Sequence, residues 1–334
     1  MSRQYYFCLD ESQSPTYFNL KRYLQKRGWR SCYFNGQADF SEQNFQFHQK
    51  AAEHLEFKHL LSDLMACYCP QIMPLTYCIN DKNWPLILEQ LTHDFYKQNE
   101  LRQNQLDPVV WILKPALLNN GQGIKIFQQP DELEQHFLCS QRLGGEHVLQ
   151  RYITNPHLLR EHHKYSIRMF VVITNYAGAY LYPQGYMNVA LHPFTAHDFS
   201  DLRSHLTNEH LQDDTENVIQ IPSQRFTFFA SLYPQIKTRV TTVIKNLQYL
   251  YPEAFICNNH RTLAIFGFDF MVDNEGQLWF LEANHGPCFP ISEEHPLQNY
   301  LYHKFWQAFV ADFVIPIARR SNERGQFFDA LIIQ

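Results

Sequence analysis

One stretch of the chain constrains its fold more than any other: Ile265 to Pro287, IFGFDFMVDNEGQLWFLEANHGP. Two apolar runs flank Asn274-Glu275-Gly276, a turn signal, and this predicts an antiparallel hairpin. With Glu275-Gly276 as a two-residue loop, Asp269 falls opposite Glu282, and Gly267 opposite Asn284. Side chains alternate faces along a strand, so Asp269, Glu282 and Asn284 project to one side. Two opposed acids repel unless a positive group sits between them, and an oxygen-only trio suits Mg²⁺. Phe268, Phe270 and Val272, with Trp279, Leu281 and Ala283, are the expected buried face. The alternative is an ordinary half-solvated hairpin whose outer face happens to carry acids. Met271, Leu278 and Phe280 on that face weigh against it, because neither face is then fully exposed.

A chain of 334 residues, 45% hydrophobic and 18% charged, has the length and composition of one large or two to three modest globular domains. Its net charge of −5 argues against a general nucleic-acid or anionic-membrane surface. No apolar run approaches the ~20 residues of a membrane span. The amino terminus, MSRQYYFCLDES, has no hydrophobic signal stretch, so a cytoplasmic protein is expected. Eight cysteines without C-x-x-C fit reduced core thiols better than a disulfide framework. Cys67-x-Cys69, and His205 with Glu209-His210, both miss the usual zinc spacings. The histidines are therefore expected at the surface or in a second layer. A monomer is expected.

Tyr5 to Leu9, Tyr17 to Arg27 and Trp29 to Phe34 predict strand, helix and strand, a small N-terminal α/β domain. Further helices are expected over Phe45 to Ala66 (in one piece or two), Pro85 to Glu100, Phe226 to Tyr251 and Tyr300 to Ile317. A helix capped by Asp131, with Glu134 closing a capping box, should follow the strands Val109 to Lys114 and Gly123 to Phe127. His147 to Tyr152, Tyr165 to Thr174 and Ala179 to Tyr182 read as strands, and Asp198 to Ser223 as a polar loop. Strands separated by helices, with several hairpins, give an α/β or α+β class.

Three further stretches carry chemistry. In VVWILKPALLNNGQGIKIF, Lys114 ends a strand before a loop containing Gly121 and Gly123. A strand-anchored ammonium beside exposed backbone amides can hold polyphosphate, although a plain hairpin with a surface lysine reads equally well. In VLQRYI, the segment Gln150, Arg151, Tyr152, Ile153 could offer a flat adenine its backbone edge, or be a simple edge strand. Lys164, Ser166 and Arg168 share one face of KYSIR, where an arginine fork can grip phosphate or carboxylate.

With WILKP and GQGI, VLQRYITNPHLL, KYSIRMFVV, HLTN at His205 to Asn208, and FGFDFMVD with LWFLEANHGP, the chain resembles the tubulin–tyrosine ligase-like family of ATP-grasp ligases. The resemblance covers nearly the whole chain. It implies an ATP-grasp fold with nucleotide held between two antiparallel β-sheets, and units at 1–57, 58–153 and 154–334. Lys114 and Lys164 match the family's nucleotide-contacting lysines, Gln150 to Ile153 its adenine hinge, and Thr207-Asn208 a further nucleotide contact. Asp269, Glu282 and Asn284 match the Mg²⁺ ligands, Arg168 an arginine near the γ-phosphate, and Lys58 another ATP-contacting lysine. The implied reaction is ATP-dependent. A substrate carboxylate is activated as an acyl phosphate, and an amino-acid donor's amine then displaces phosphate. Catalysis would rest on Arg168 and the Glu282-held metal, with a protein or peptide acceptor, tubulin being the one the resemblance suggests. Two positions depart from the family pattern. Ser166 stands where the K-x-D-x-R run has Asp, and Pro183-Gln184 where Arg-Glu is common. Lys125 or Arg225 would have to replace the missing arginine in a local basic cleft. A ligase for a non-tubulin or small-molecule acceptor, and a non-catalytic binding module, remain the alternatives.

Overall fold

The computed structural model describes residues 3–101, 109–119, 121–211, 216–321, 323 and 325–331. Its strands are β1 (Tyr6–Cys8), β2 (Arg30–Ser31), β3 (Phe40–Ser41), β4 (Thr76–Ile79), β5 (Trp111–Pro115), β6 (Lys125–Phe127), β7 (His147–Arg151), β8 (His163–Thr174), β9 (Gly178–Pro193), β10 (Val218–Pro222), β11 (Leu263–Val272), β12 (Leu278–His285) and β13 (Asp329–Ala330). The α-helices are α1 (Pro15–Lys26), α2 (Gln49–Glu56), α3 (Lys58–Tyr68), α4 (Trp84–Leu101), α5 (Pro130–Leu138), α6 (Phe229–Leu250), α7 (His303–Phe309) and α8 (Ile315–Arg319).

Three sheets result. A small parallel sheet has the order β2-β1-β3, an antiparallel sheet has β4-β7-β5-β6, and a larger antiparallel sheet has β10-β9-β8-β11-β12 with β13 also on β9. The mixed α/β class expected from the sequence is observed, with two antiparallel sheets at its centre.

Strand alternation divides the larger sheet. Ile167, Met169 and Val171 of β8, with Phe266, Phe268 and Phe270 of β11, pack under α2, α3 and α6. On the opposite face, Phe170, Val172 and Ile265 are covered by α1 and the aromatic C-terminal helices. That cover stops short of Lys164, Ser166 and Arg168, which share this face but line a cavity. The smaller antiparallel sheet behaves likewise. Leu113 and Leu149 pack against α4 and α5, and Ile112 and Lys114 turn the other way, into the cavity.

Several local expectations are corrected. Asp273 N–H bonds to Gln277 C=O at 3.1 Å, so the hairpin loop spans three residues, with Gly276 at φ 83°, rather than two. Near this loop the pairs are Phe270–Phe280 and Val272–Leu278, and a bulge follows between Asp269 and Phe270. The bulge offsets the longer loop, so Asp269 still faces Glu282 and Gly267 still faces Asn284. It also exchanges faces: Leu278 and Phe280 join the core, whereas Leu281 lines the cavity. The helix expected to be capped by Asp131 is capped by Gln129, with Glu132 closing the box. Pro130 lacks an N–H and suits the first helical position, which puts the cap at Gln129, two residues earlier than expected. Strand β9 runs on past Tyr182, where the expected strand ended, through Pro183 and Gly185 to Pro193. Part of the expected polar loop forms β10 at its edge. The long helical pattern after Phe45 breaks at Phe57 into α2 and α3.

Candidate functional site

The two antiparallel sheets face each other across a cavity of about 400 Å³, within the range of small-molecule sites. One wall is Ile112, Lys114, Gln150 and Tyr152; the other carries Lys164, Arg168, Asp269, Glu282 and Asn284. Lys58 of α3 and the segment His205 to Glu209 close the sides.

The acidic end is built by register. Asp269 is paired on one side with Arg168 of β8 and on the other with Glu282 of β12. Arg168 grips Asp269 through Nε–H to Oδ1 and Nη2–H to Oδ2, the latter at 2.7 Å. Gly267 makes room for that grip, since a Cβ there would lie 2.7 Å from Arg168 Cδ. Asn284 Nδ2 donates to Asp269 Oδ2 at 3.1 Å and to Glu282 Oε1 at 3.3 Å. Lys58 Nζ lies 3.7 Å from Glu282 and donates to Leu118 C=O at 2.8 Å, tying the glycine-containing loop to the acidic end. Burial pushes the Asp269 carboxyl up to about 6 against the pull of Arg168. Burial acts on Glu282 too, but Lys58, Lys114 and Arg168 outweigh it and hold that carboxyl down near about 2. Two carboxylates converging on one amide, which presents Oδ1 in place of Nδ2 when turned over, form a donor set that fits a hard divalent cation.

The basic end is different in kind. Lys164 is only 2% exposed; its Nζ donates to Tyr152 Oη at 2.7 Å and to His205 C=O at 2.9 Å. Lys114 keeps part of its surface open and donates to Gln150 Oε1 at 2.8 Å, and Gln150 donates in turn to Thr76 Oγ1 at 3.0 Å. Burial lowers Lys114 to about 8; burial and the neighbouring Lys114 charge lower Lys164 to about 7. Among the described residues neither ammonium lies in a direct ion pair with a carboxylate, although Glu282 and Asp269 act on Lys114 from farther across the cavity.

The other sequence candidates distribute unevenly. Gly121, Arg151, Ile153, Thr207 and Asn208 line the cavity. Gly123 does not line it, although it takes a φ of 69° in the same loop. VLQRYI is not an edge strand: β7 lies between β4 and β5, and the N–H groups of Arg151 and Tyr152 are spent on Leu75 and Val110 carbonyls. Neither of those two N–H groups is therefore left to donate to an adenine edge. Lys125 is exposed on β6 and the Arg225 guanidinium lies over the Tyr300 ring, so neither lines the cavity. Sequence reasoning missed Tyr186, Asn188 and Gln220, cavity residues on the part of β9 and on β10 that did not read as strand. All eight thiols are free, as expected, but only Cys69 is buried, so they are not core thiols; His205, expected at the surface or in a second layer, is 2% exposed and sits behind Tyr152 at the cavity.

A family model described as Tubulin-tyrosine ligase family matches residues 41–323. The chain belongs to the tubulin-tyrosine ligase family. Relatives within it include a probable tubulin polyglutamylase TTLL2 of Mus musculus, 27% identical over 59% of this chain and 38% of the relative. Tubulin glycylase 3C of Tetrahymena thermophila is 24% identical over 55% of this chain and 18% of its own length. Protein polyglycylase TTLL10 of Macaca fascicularis is 26% identical over 54% and 34%. The chain thus spans well under half the length of these relatives. Within the tubulin-tyrosine ligase family pattern, Ser166 is buried on the cavity floor opposite Asn188 of β9. Pro183-Gln184 lies on the irregular stretch of β9 and does not line the cavity.

Proposed function

We propose that the chain is an ATP- and Mg²⁺-dependent ligase that joins an amino acid to a carboxylate of a protein or peptide, with a tubulin-type tail as the acceptor class. The observation that carries this reading is the cavity itself. Between two antiparallel sheets, as in an ATP-grasp fold, it opposes two lysines without carboxylate partners to a paired acidic set. In this proposal Lys114 and Lys164 receive the polyphosphate, with the Gly121 loop beside them, and Ile112, Met271 and Leu281 flank the adenine beyond Ile153. Asp269, Glu282 and Asn284 would hold Mg²⁺, which when bound neutralises phosphate oxygens. Arg168, already oriented by Asp269, stands beside the transferring phosphoryl group and the acceptor carboxylate. The γ-phosphoryl group passes to that carboxylate and ADP leaves. The donor amine then displaces phosphate, forming the amide and releasing a proton. Units at 1–57, 58–153 and 154–334, and a cytoplasmic place of work, belong to the same proposal. No helix among the described residues is long and apolar enough to cross a membrane.

A second reading, a fold kept for binding alone, draws on Ser166 and on the absence of a basic side chain at Pro183. One experiment separates the two. Tubulin is incubated with Mg²⁺-ATP, a mixed amino-acid pool and either wild type or Glu282→Gln, then analysed by mass spectrometry. A mass increase with wild type, reduced at least about a hundredfold in Glu282→Gln, is expected. Equal labelling by both proteins would refute the metal assignment. Nucleotide binding without labelling of any acceptor would favour the binding module.

A further inference from the structure

The imidazole of His205 sits among Tyr152, Phe194 and Phe199, stacked on the last at 4.8 Å between ring centroids. Its Nε2 lies 2.7 Å from the Asp198 carbonyl oxygen and its Nδ1 lies 2.9 Å from Tyr152 Oη. A carbonyl can only accept, so Nε2 must carry the proton. In a neutral imidazole Nδ1 is then an acceptor. Burial lowers the His205 pKa, consistent with the neutral ring. Tyr152 must therefore donate its hydroxyl proton to Nδ1, which turns the oxygen lone pairs toward Lys164 Nζ. Every hydrogen bond in the chain from Lys164 to Asp198 thus has one direction.

Three separate parts of the fold meet here. Tyr152 directly follows β7 of one sheet, Lys164 lies near the start of β8 of the other, and His205 belongs to the segment between β9 and β10. That segment continues at once into Thr207 and Asn208, which line the cavity. Lys164 also spends a second donor on the His205 carbonyl, so two of its three N–H groups are fixed within the protein and one remains for a ligand. We infer that His205 is a positioning residue. By fixing the Tyr152 hydroxyl it aims the Lys164 ammonium into the cavity, and it makes the order of the 195–208 segment depend on that contact. The assignment of a phosphate ligand to Lys164 rests on the proposed function; the coupling of Lys164 to the segment does not.

The test has two arms. In the ligand-free protein, amide hydrogen exchange over 195–208 is compared among wild type, Tyr152→Phe, His205→Phe and His205→Gln. Both phenylalanine variants keep a ring in place and are expected to speed exchange there. His205→Gln keeps one acceptor and one donor and is expected to restore protection. Unchanged exchange in Tyr152→Phe and His205→Phe would overturn the coupling, whatever the protein binds. In the second arm, titration calorimetry with Mg²⁺-ATP should show about tenfold weaker binding for each phenylalanine variant, the loss of one hydrogen bond to a charged group. The double variant should be no weaker than either alone, because both act through one chain. Additive losses would overturn the positioning role. Failure of wild type itself to bind Mg²⁺-ATP would refute the proposed function and leave the exchange arm to judge the relay.

Discussion

At the scale of single residues the site depends on side chains that are correct only because of their neighbours. Arg168 lies flat over Gly267, where any side chain would collide with it. Gly267→Ala should therefore displace the guanidinium and lower turnover by about a hundredfold, the usual result of small misplacement at a reacting centre. Wild-type turnover would mean that Arg168 does not need this seat. The two lysines make a pH-dependent prediction. In the free protein they titrate near about 8 and about 7, so both are partly neutral at pH 8. Phosphate oxygens stabilise the ammonium form and raise both values, so the complex holds more protons than the free protein. Binding of Mg²⁺-ATP at pH 8 should then take up protons, and affinity should fall as pH rises above 7. Calorimetry in buffers of different ionisation heat would detect this uptake, and heats independent of buffer would contradict it.

At the scale of elements, the hairpin β11–β12 shows two irregularities offsetting one another. A three-residue loop alone would leave Asp269 opposite Leu281, an apolar partner, and the bulge at Leu281 returns Glu282 to that place. Bulges also increase local twist and re-aim the side chains beside them. Deleting Leu281 should keep the pairings on both sides, because the remaining residues then form a regular ladder. The melting temperature should stay within a few degrees, while turnover drops about tenfold or more as Glu282 is re-aimed and a cavity wall is lost. A deletion variant as active as wild type would show the bulge to be incidental.

At the scale of the whole molecule, the cavity exists only where two sheets oppose each other, so its ligand should bridge and stabilise both. Mg²⁺-ATP at a hundredfold excess over its Kd is expected to raise the melting temperature by roughly 4 °C. Chelation of the metal should remove most of that gain, and Glu282→Gln should show little of it. An unshifted melting curve would count against nucleotide binding between the sheets. Much of this was legible in the chain. The acidic trio, the two lysines, Arg168 and most of the strands declare themselves through alternation and turn chemistry, which are local properties of a few consecutive residues. The opposition of Asp269 and Glu282 was read correctly, although the turn and the bulge that produce it were not. What the chain by itself left open depends on residues far apart in sequence. His205 looked like one surface or second-layer histidine among seventeen; Tyr152 and Lys164 reach it only when the two sheets close together. Lys125 and Arg225 had the right charge for the cleft and lie outside it, because charge is written in the sequence but direction is not. Local pattern determined which residues alternate and which can carry the chemistry. Tertiary packing alone decided which of them face one another, since burial, desolvation and hydrogen-bond direction arise only between segments brought together in space.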